Sequence, residues 1–281
     1  MAPSPLSFSP GSITAFFQPI FGETPILTMS KGLAFCVDRG VSASVTPALS
    51  HDIILNGESI ALKTVLHVLD HLAPEPVRVF LETDLALGYG FGVSAACALS
   101  SAVAINRRFN LGRTRHELGL ISHAAEVACR TGLGDVAAQL CGGVVFRHCE
   151  NGPLDTTGMK YESYPKLYCR SFGELSTRDV LSTSSVVTAI REAGSRAVDW
   201  LTESKRSNVT IHELLNRSQL FAKETGLQTH PGVIQAIRSI CEDHGSATMV
   251  MLGHSVLATA PKHPGELWRE FTIDTQGTRL I

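Results

Sequence analysis

The amino-acid sequence predicts a mixed α/β fold of the α+β kind, because strand-like and helix-like segments follow one another along all 281 residues. Residues 33–45 alternate loosely and are rich in β-branched side chains, which favours a strand. Residues 94–105 carry no charge and almost only small or apolar side chains, a pattern typical of a helix buried on all sides. Hydrophobic residues make up 44% of the chain and charged residues 18%, so the core of this globular protein is ample.

The first half of the chain is expected to contain five strands and four helices. Ser9-Pro10-Gly11 is expected to break the first strand, and Asn56-Gly57 predicts a turn after the third. The strands are predicted at residues 6–8, 33–45, 52–55, 77–81 and 144–147. The helices are predicted at residues 60–72, 93–109, 114–130 and 135–140.

The second half is expected to be a smaller α+β unit. Residues 151–158 are polar and rich in turn formers, so we expect two domains, 1–150 and 151–281. Beyond this boundary the pattern predicts a strand at 167–171, helices at 185–203, 211–225 and 232–243, and a hairpin of 247–251 with 256–260. The chain has no internal repeat and no low-complexity tract.

The charge pattern and the hydropathy exclude two classes of partner. The formal net charge is −2, and the basic cluster around Arg107-Arg108 reads as a solvated helix end, so no nucleic acid is expected. The N-terminus lacks a basic and apolar leader, and the most apolar long stretch, 93–105, is shorter than the ~20 residues that a membrane helix needs. We therefore expect a cytoplasmic protein without a membrane partner.

The seven cysteines are expected to be free thiols. Their number is odd, no C-x-x-C pair occurs, and several have small or apolar neighbours, as in Ala96-Cys97-Ala98. This pattern indicates small core residues in a reducing compartment, and it argues against a zinc site.

Three glycines at alternate positions, Gly88, Gly90 and Gly92, stand directly before the predicted helix at 93–109, and the segment 88–92 is called the glycine loop. Glycine permits positive φ and close approach to a ligand, and a helix start offers free N–H groups and the positive end of the helix dipole. The candidate phosphate-binding residues are therefore Gly88, Gly90, Phe91, Gly92, Val93, Ser94 and Ala95. The loop lacks the Gly-Lys pair that a Walker A loop needs. It also does not match the G-x-G-x-x-G motif of a dinucleotide-binding loop, so both of these loops are excluded. A tight turn that only packs beneath the helix is the alternative.

Two carboxylates are candidates for chemistry. Glu126 lies on a predicted helix with almost no other charge in its middle, where Mg²⁺ would be a suitable partner for a buried carboxylate. An exposed helix edge, or pairing with His123, is the alternative. Asp135 follows Gly132-Leu-Gly134 and either accepts a proton from a substrate hydroxyl or caps the next helix.

Taken in order, these segments resemble the GHMP kinases, named for galacto-, homoserine, mevalonate and phosphomevalonate kinases. The resemblance rests on Ser9-Pro10-Gly11, Gly88-x-Gly-x-Gly92-x-Ser94-Ala-Ala, Ala124-Ala125-Glu126 and Gly134-Asp135. It implies a two-domain fold with the active site in the interdomain cleft, a glycine loop that cradles the ATP triphosphate, and a homodimer. It also implies that Ser94 and Glu126 hold Mg²⁺, and that Asp135 is the catalytic base, as in the mevalonate kinase branch.

One branch is more similar still, the archaeal-type pantoate kinases of coenzyme A biosynthesis. The similar segments are residues 8–17, residues 90–94, Thr131-Gly-Leu-Gly-Asp135 with Ala138-Gln139, and Met249-Val-Met-Leu-Gly253. The chain departs from the branch at Ser12, where His is usual. It also lacks the lysine that some members carry near the N-terminal motif, since no lysine precedes Lys31.

The resemblance implies that ATP phosphorylates the primary hydroxyl of pantoate. Ser12 and Thr14 lie in the N-terminal segment expected to contact this substrate. Arg147, close in sequence to Asp135, is the first candidate for its carboxylate, ahead of Arg39, Arg130 and His254. The alternatives are a GHMP kinase for mevalonate or homoserine, a nucleotide-binding protein without catalysis, and a structural protein with a glycine-rich turn.

Overall fold

The computed structural model describes Ser4, residues 6–203, residues 209–259, Gly265 and residues 267–281. Within these ranges twelve strands form two sheets and eight α-helices pack against them, so the predicted mixed α/β class is confirmed. The strands are β1 (Ser7–Ile20), β2 (Met29–Pro47), β3 (Asp52–Leu55), β4 (Glu58–Ser59), β5 (Val77–Glu82), β6 (Val144–Arg147), β7 (Thr156–Met159), β8 (Leu167–Gly173), β9 (Ala247–Val250), β10 (His254–Thr259), β11 (Arg269–Phe271) and β12 (Arg279–Leu280). The helices are α1 (Lys63–Leu72), α2 (Val93–Phe109), α3 (Arg115–Cys129), α4 (Asp135–Cys141), α5 (Thr177–Ser182), α6 (Ser184–Glu203), α7 (Ile211–Glu224) and α8 (Pro231–Glu242).

The larger sheet is built on the long hairpin of β1 and β2. Its order is β12-β1-β2-β5-β3-β4, with β6 and β7 extending from β2, and only β3 and β5 pair in parallel. The smaller sheet has the antiparallel order β11-β8-β10-β9. The division at residue 150 stays a prediction: the smaller sheet lies beyond it, whereas β7 and β12 return to the larger sheet.

The predicted break of the first strand at Ser9-Pro10-Gly11 is wrong, because β1 continues to Ile20. Pro10 pairs with Gly40, and the register then shifts so that Gly11 pairs with Val37. Such an irregularity tolerates proline, which has no N–H to donate to the ladder. The continued strand carries Ser12 and Thr14 toward the helix α4.

Most other predicted elements are confirmed to within a few residues. The bounds of α2, β3 and β6 agree with the prediction, and Asn56 and Gly57 form the expected turn with positive φ values of 51° and 89°. The sequence does not predict the short elements β4, β7, α5, β11 and β12, because segments of so few residues show no clear hydrophobic periodicity. In the predicted hairpin, β10 begins at His254, while Ala260 lies outside the described residues.

The packing of α2 and α6 fixes the elements around the site. Helix α2 lies against β1 and β2 and contacts both α1 and α3. Helix α6 crosses β1, where Gly194 lies so close to the backbone of Phe17 that a Cβ atom would collide with it. The rings of Phe17 and Phe221, 5.7 Å apart, join β1 to α7. Strand β1 is therefore in contact with α2 from the first half of the chain and with α6 and α7 from the second.

The expectations drawn from composition have mixed outcomes. All seven cysteines are free, and Cys36, Cys97 and Cys169 are buried, but Cys241 is exposed rather than in the core. The side chains at Arg107-Arg108 are exposed, as expected. In the part of the chain that the structure describes, no helix has the length and apolarity to cross a membrane. The homodimer and the cytoplasmic location stay predictions.

Candidate active site

A cavity of about 430 Å³ lies where the glycine loop, the start of α2, the end of α3 and the start of α5 meet. Segments from both sides of residue 150 form its wall, since residues 175–178, Met251 and Leu252 face the glycine loop. The predicted site residues on this wall are Thr14, Gly88, Gly90, Phe91, Gly92, Val93, Ser94, Glu126 and Asp135. Ser12, Ala95 and Arg147 are buried behind it.

The glycine loop has the backbone geometry that its sequence predicts. Gly88, Gly90 and Gly92 have φ values of 80°, 87° and 62°, in the left-handed region that favours glycine. At Gly90 a Cβ atom would lie 2.6 Å from Val250 Cγ1, so a side chain does not fit. No side chain caps the start of α2 at Gly92, which leaves the first N–H groups of the helix for an anion.

Four hydrogen bonds, from β1, α4, β10 and the segment between β8 and α5, hold the glycine loop in place. Two come from the N-terminal half and two from beyond residue 150, so the loop depends on contacts remote in sequence. Their donors are Ser12 N to Phe91 O (2.9 Å), Gln139 Nε2 to Gly92 O (2.8 Å), Leu175 N to Gly88 O (3.1 Å) and Ser255 Oγ to Tyr89 O (3.1 Å).

Gly253→Ala is expected to displace the glycine loop and to weaken ATP binding by about tenfold or more. A tenfold loss is about what the removal of one charge-assisted hydrogen bond to a phosphate group would cause. A Cβ atom at this position would collide with the carbonyl group of Tyr89, which is backbone and cannot rotate away. Titration calorimetry with ATP measures the change. Gly158→Ala is the matched control, because its nearest neighbour would be Cys141 Sγ at 3.6 Å. Unchanged ATP affinity in the Gly253 variant would contradict this role for the contact.

Glu126 is buried at the cavity wall and bonded to the first turn of α2. It is 3% exposed, and its Oε1 accepts hydrogen bonds from Ser94 Oγ (2.7 Å) and Thr131 Oγ1 (2.8 Å). His123 instead donates from Nε2 to the carbonyl of Thr28 (2.9 Å), so both alternatives for Glu126, exposure and pairing with His123, are wrong. Burial raises the pKa of Glu126 to about 7, although the two hydroxyl groups lower it and Asp135 raises it further.

The pair of Ser94 and Glu126 fits a magnesium ion. A hydroxyl and a carboxylate supply the hard oxygen ligands that Mg²⁺ prefers, and the wall leaves open space for phosphate ligands. Within the described residues the Glu126 carboxylate has no basic partner. A bound cation would supply the compensation that this buried carboxylate lacks.

Asp135 lies at the first position of α4 and points toward β1. Its Oδ1 accepts hydrogen bonds from Ser12 Oγ (2.9 Å) and Thr14 Oγ1 (3.5 Å). The capping alternative is wrong, because Gly134 occupies the N-cap position and the Asp135 side chain makes no cap bond. Burial raises the pKa of Asp135, while Arg147 and the two hydroxyl groups lower it. A Cβ atom at Gly132 would lie 2.5 Å from Glu126 Oε2 and 3.3 Å from Asp135 Oδ2. The two carboxylate groups therefore both lie close to Gly132.

Arg147 lies beneath Asp135 and not on the cavity wall. It is 1% exposed, and its Nε donates to the carbonyl of Ser30 (3.3 Å). Its Nη1 is buried and finds no hydrogen-bond partner among the described residues, and the same is true of His123 Nδ1. Both side chains bond through their other nitrogen atoms to carbonyl groups of the segment 28–30, at the start of β2.

The weaker candidates for the substrate carboxylate are distributed differently. Arg39 pairs with Asp84 at 2.8 Å, and His254 packs against His230 with ring centroids 5.1 Å apart; both lie outside the cavity. Arg130 does line the cavity.

Several residues that the sequence did not reveal contribute to the site. Thr131 bonds to Glu126, and Thr64 Oγ1 lies 3.3 Å from Ser94 Oγ. Gln139 links α4 to the glycine loop, and the segment 175–178 closes one side of the cavity. Thr131 and Gln139 lie in sequence segments that are similar to the pantoate kinases. Their presence in these segments is a signal that could have identified them as site residues. Thr64 and residues 175–178 belong to no motif, so only the fold brings them to the site.

Comparison with known proteins identifies relatives over almost the whole chain. Residues 59–143 match the family model of the GHMP kinases N-terminal domain. A pantoate kinase of Thermococcus kodakarensis is 32% identical over 284 residues, covering 95% of this chain and 91% of that protein. A pantoate kinase of Methanocaldococcus jannaschii is 30% identical over 262 residues, covering 91% and 92%. A solved structure described as a phosphotransferase related to the CoA biosynthesis pathway has a TM-score of 0.84 at 28% identity, covering 98% of this chain and 97% of that chain.

Proposed function

This chain belongs to the pantoate kinase family of the GHMP kinases, and from that premise we propose that it transfers the γ-phosphoryl group of ATP to the primary hydroxyl of pantoate. The product is 4-phosphopantoate, an intermediate for coenzyme A biosynthesis. The observation that carries the proposal is that Asp135 and the Ser94–Glu126 pair face the glycine loop in one cavity. A protein that only binds nucleotide has no need of a buried base beside a candidate metal site.

The proposed reaction begins with Asp135. Its carboxylate orients the primary hydroxyl of pantoate and accepts its proton as the oxygen attacks the γ-phosphorus, and ADP leaves from the opposite side. Ser12 and Thr14 hold Oδ1, and Arg147 favours the ionised form, so the base is in place before substrate enters. The N–H groups at the start of α2 stabilise the charge on the transferred group.

Ser94 and Glu126 are the residues proposed to hold Mg²⁺. The ion, when bound, supplies positive charge to the phosphate oxygen atoms during transfer. Thr131 keeps Glu126 Oε1 directed toward Ser94 through its own hydrogen bond.

Arg147 is proposed to bind the carboxylate of pantoate. Among the described residues its Nη1 is a buried donor without a partner, and such a donor is costly unless a ligand supplies an acceptor. Among the described residues His123 Nδ1 has no partner either, and His123, like Arg147, bonds to the segment 28–30, which is consistent with a polar subsite for a small acid.

Arg147→Lys is expected to raise the KM for pantoate by about tenfold or more, because lysine keeps the charge but loses the planar pair of donors. The Kd for ATP is expected to stay within about twofold, since Arg147 interacts with Ser30 and Asp135 and not with the glycine loop. Initial rates over a range of pantoate concentrations measure the effect, with Arg39→Lys as the matched control on the surface. A fall in kcat at unchanged KM would mean that Arg147 supports Asp135 and does not hold the substrate.

The proposed function is tested by release of ADP from ATP and Mg²⁺ in the presence of pantoate, pantothenate, mevalonate or homoserine. Turnover confined to pantoate is the expected result, with 4-phosphopantoate identified by mass spectrometry. Turnover on a different alcohol would overturn the substrate assignment and keep the kinase. ATP binding without any stimulated release of ADP would favour the non-catalytic alternative.

A further inference from the structure

Three basic side chains on the cavity wall have no part in the proposed reaction. They are Lys63, Arg130 and Arg178. Across the described ranges none of their side chains forms an ion pair or a hydrogen bond. The carboxylates on the same wall are Glu126 and Asp135, which already have hydroxyl partners. The cavity wall therefore carries three positively charged side chains that have no partner among the described residues.

Two of these cations lie on the part of the cavity wall near Cys129, here called the corner, although they come from different halves of the chain. Lys63 begins α1, and Arg178 is the second residue of α5. At the end of α3, burial and then Glu126 raise the pKa of the Cys129 thiol, whereas the nearby Lys63 and Arg178 lower it. Thr64, next to Lys63, lies 3.3 Å from Ser94 through their hydroxyl groups. The corner is therefore beside the candidate magnesium site.

The structure holds Arg178 in a defined place. Leu175 N donates to Gly88 O, which ties the preceding segment to the glycine loop at 3.1 Å. Ser176 Oγ then accepts from Asp179 N at 3.3 Å and begins α5. Val180 is buried on the inner side of this helix. Because an α-helix has about 3.6 residues per turn, Arg178, two positions earlier, projects from a different side of the helix. Arg178 is thus directed to the cavity while its helix is anchored elsewhere.

We propose that Lys63 and Arg178 form a clamp on the β- and γ-phosphate groups of the bound nucleotide. The proposal rests on the proposed function, because it takes a nucleoside triphosphate as the ligand. The β- and γ-phosphates carry most of the charge of ATP, and the N-terminal segment before Lys31 contributes no lysine. Arg178 matches two phosphate oxygen atoms with its planar guanidinium, and Lys63 adds a point charge.

The clamp is tested on the full chain by titration calorimetry with ATP, ADP and AMP at constant Mg²⁺ concentration and without pantoate. Arg178→Gln and Lys63→Gln are each expected to weaken ATP by about tenfold and to leave AMP within about twofold. Arg178→Lys is expected to lose less affinity than Arg178→Gln. Arg191→Gln is the matched control, since Arg191 is exposed on α6 and does not line the cavity.

Three results would overturn the clamp. ATP affinity within about twofold of the original in both glutamine variants would show that the cations do not touch the phosphates. Equal losses for AMP and ATP would place the effect on the fold or on the nucleoside. A raised KM for pantoate at unchanged ATP affinity would mean that this corner holds the substrate carboxylate instead. Nucleotide binding is measured here without pantoate. A failure to phosphorylate pantoate would therefore contradict the proposed function, whereas the test of the clamp would still be valid.

Discussion

Asp135→Asn is expected to lower kcat by about 10³-fold and to leave the Kd for ATP within about twofold. The amide is close in size to the carboxyl group and still accepts hydrogen bonds from Ser12 and Thr14, so the local structure is retained. It cannot take the proton of the attacking hydroxyl. The loss therefore falls on the chemical step and spares nucleotide binding, which depends on the glycine loop and the start of α2.

A rapid-quench measurement of a single turnover isolates this step, and calorimetry gives the ATP affinity of the same variant. Asp70→Asn, on the exposed side of α1, is the matched control and is expected to behave as the original protein. Comparable losses in turnover and in ATP affinity would assign Asp135 a structural role at the start of α4. A kcat reduced by less than about tenfold would show that another group or water accepts the proton.

The sequence predicts the site best where its geometry is local. Gly88, Gly90 and Gly92 directly precede α2, so their positive φ values and the free helix start follow from adjacent residues. The elements that carry Glu126 and Asp135 were also predicted, because their helices are long or are bounded by glycine.

The contacts that complete the site depend on residues far apart in the chain. Ser255 lies 166 positions from Tyr89, and no periodicity along the sequence connects them. The continuation of β1 past Pro10 depends on its partner Gly40, which the sequence does not identify. The sequence offers Arg147 as a candidate for the substrate carboxylate, but its burial follows from the pairing of β6 with β2, in which it pairs with Gly32. Residues 175–178 reach the cavity only because the second half of the chain packs against the first.

Glu126→Gln is expected to have opposite effects on stability and on catalysis. The folded protein raises the pKa of Glu126 from 4.5 to about 7, chiefly by burial, so the folded state binds this proton more tightly than the unfolded state. The stabilisation linked to that proton is complete below the unfolded pKa of 4.5 and is lost as the pH rises to about 7. Glutamine is neutral throughout and avoids this loss. Without Mg²⁺ the variant is therefore expected to be more stable at pH 8, by on the order of 3 kcal/mol, and nearly equal in stability at pH 4.5.

With Mg²⁺ the order is expected to reverse, because only the carboxylate form of residue 126 gives the cation a charged ligand. In the original protein Mg²⁺ competes with the proton, so stabilisation by Mg²⁺ and kinase activity should both rise as the pH passes through about 7. The variant should show neither rise and should lose about 10²-fold or more in kcat. Thermal unfolding with and without Mg²⁺ at several pH values measures the stability, and Glu192→Gln on the exposed side of α6 is the matched control. A variant that is no more stable than the original protein at pH 8 would contradict the raised pKa. Activity that responds to Mg²⁺ as in the original protein would remove Glu126 from the metal site.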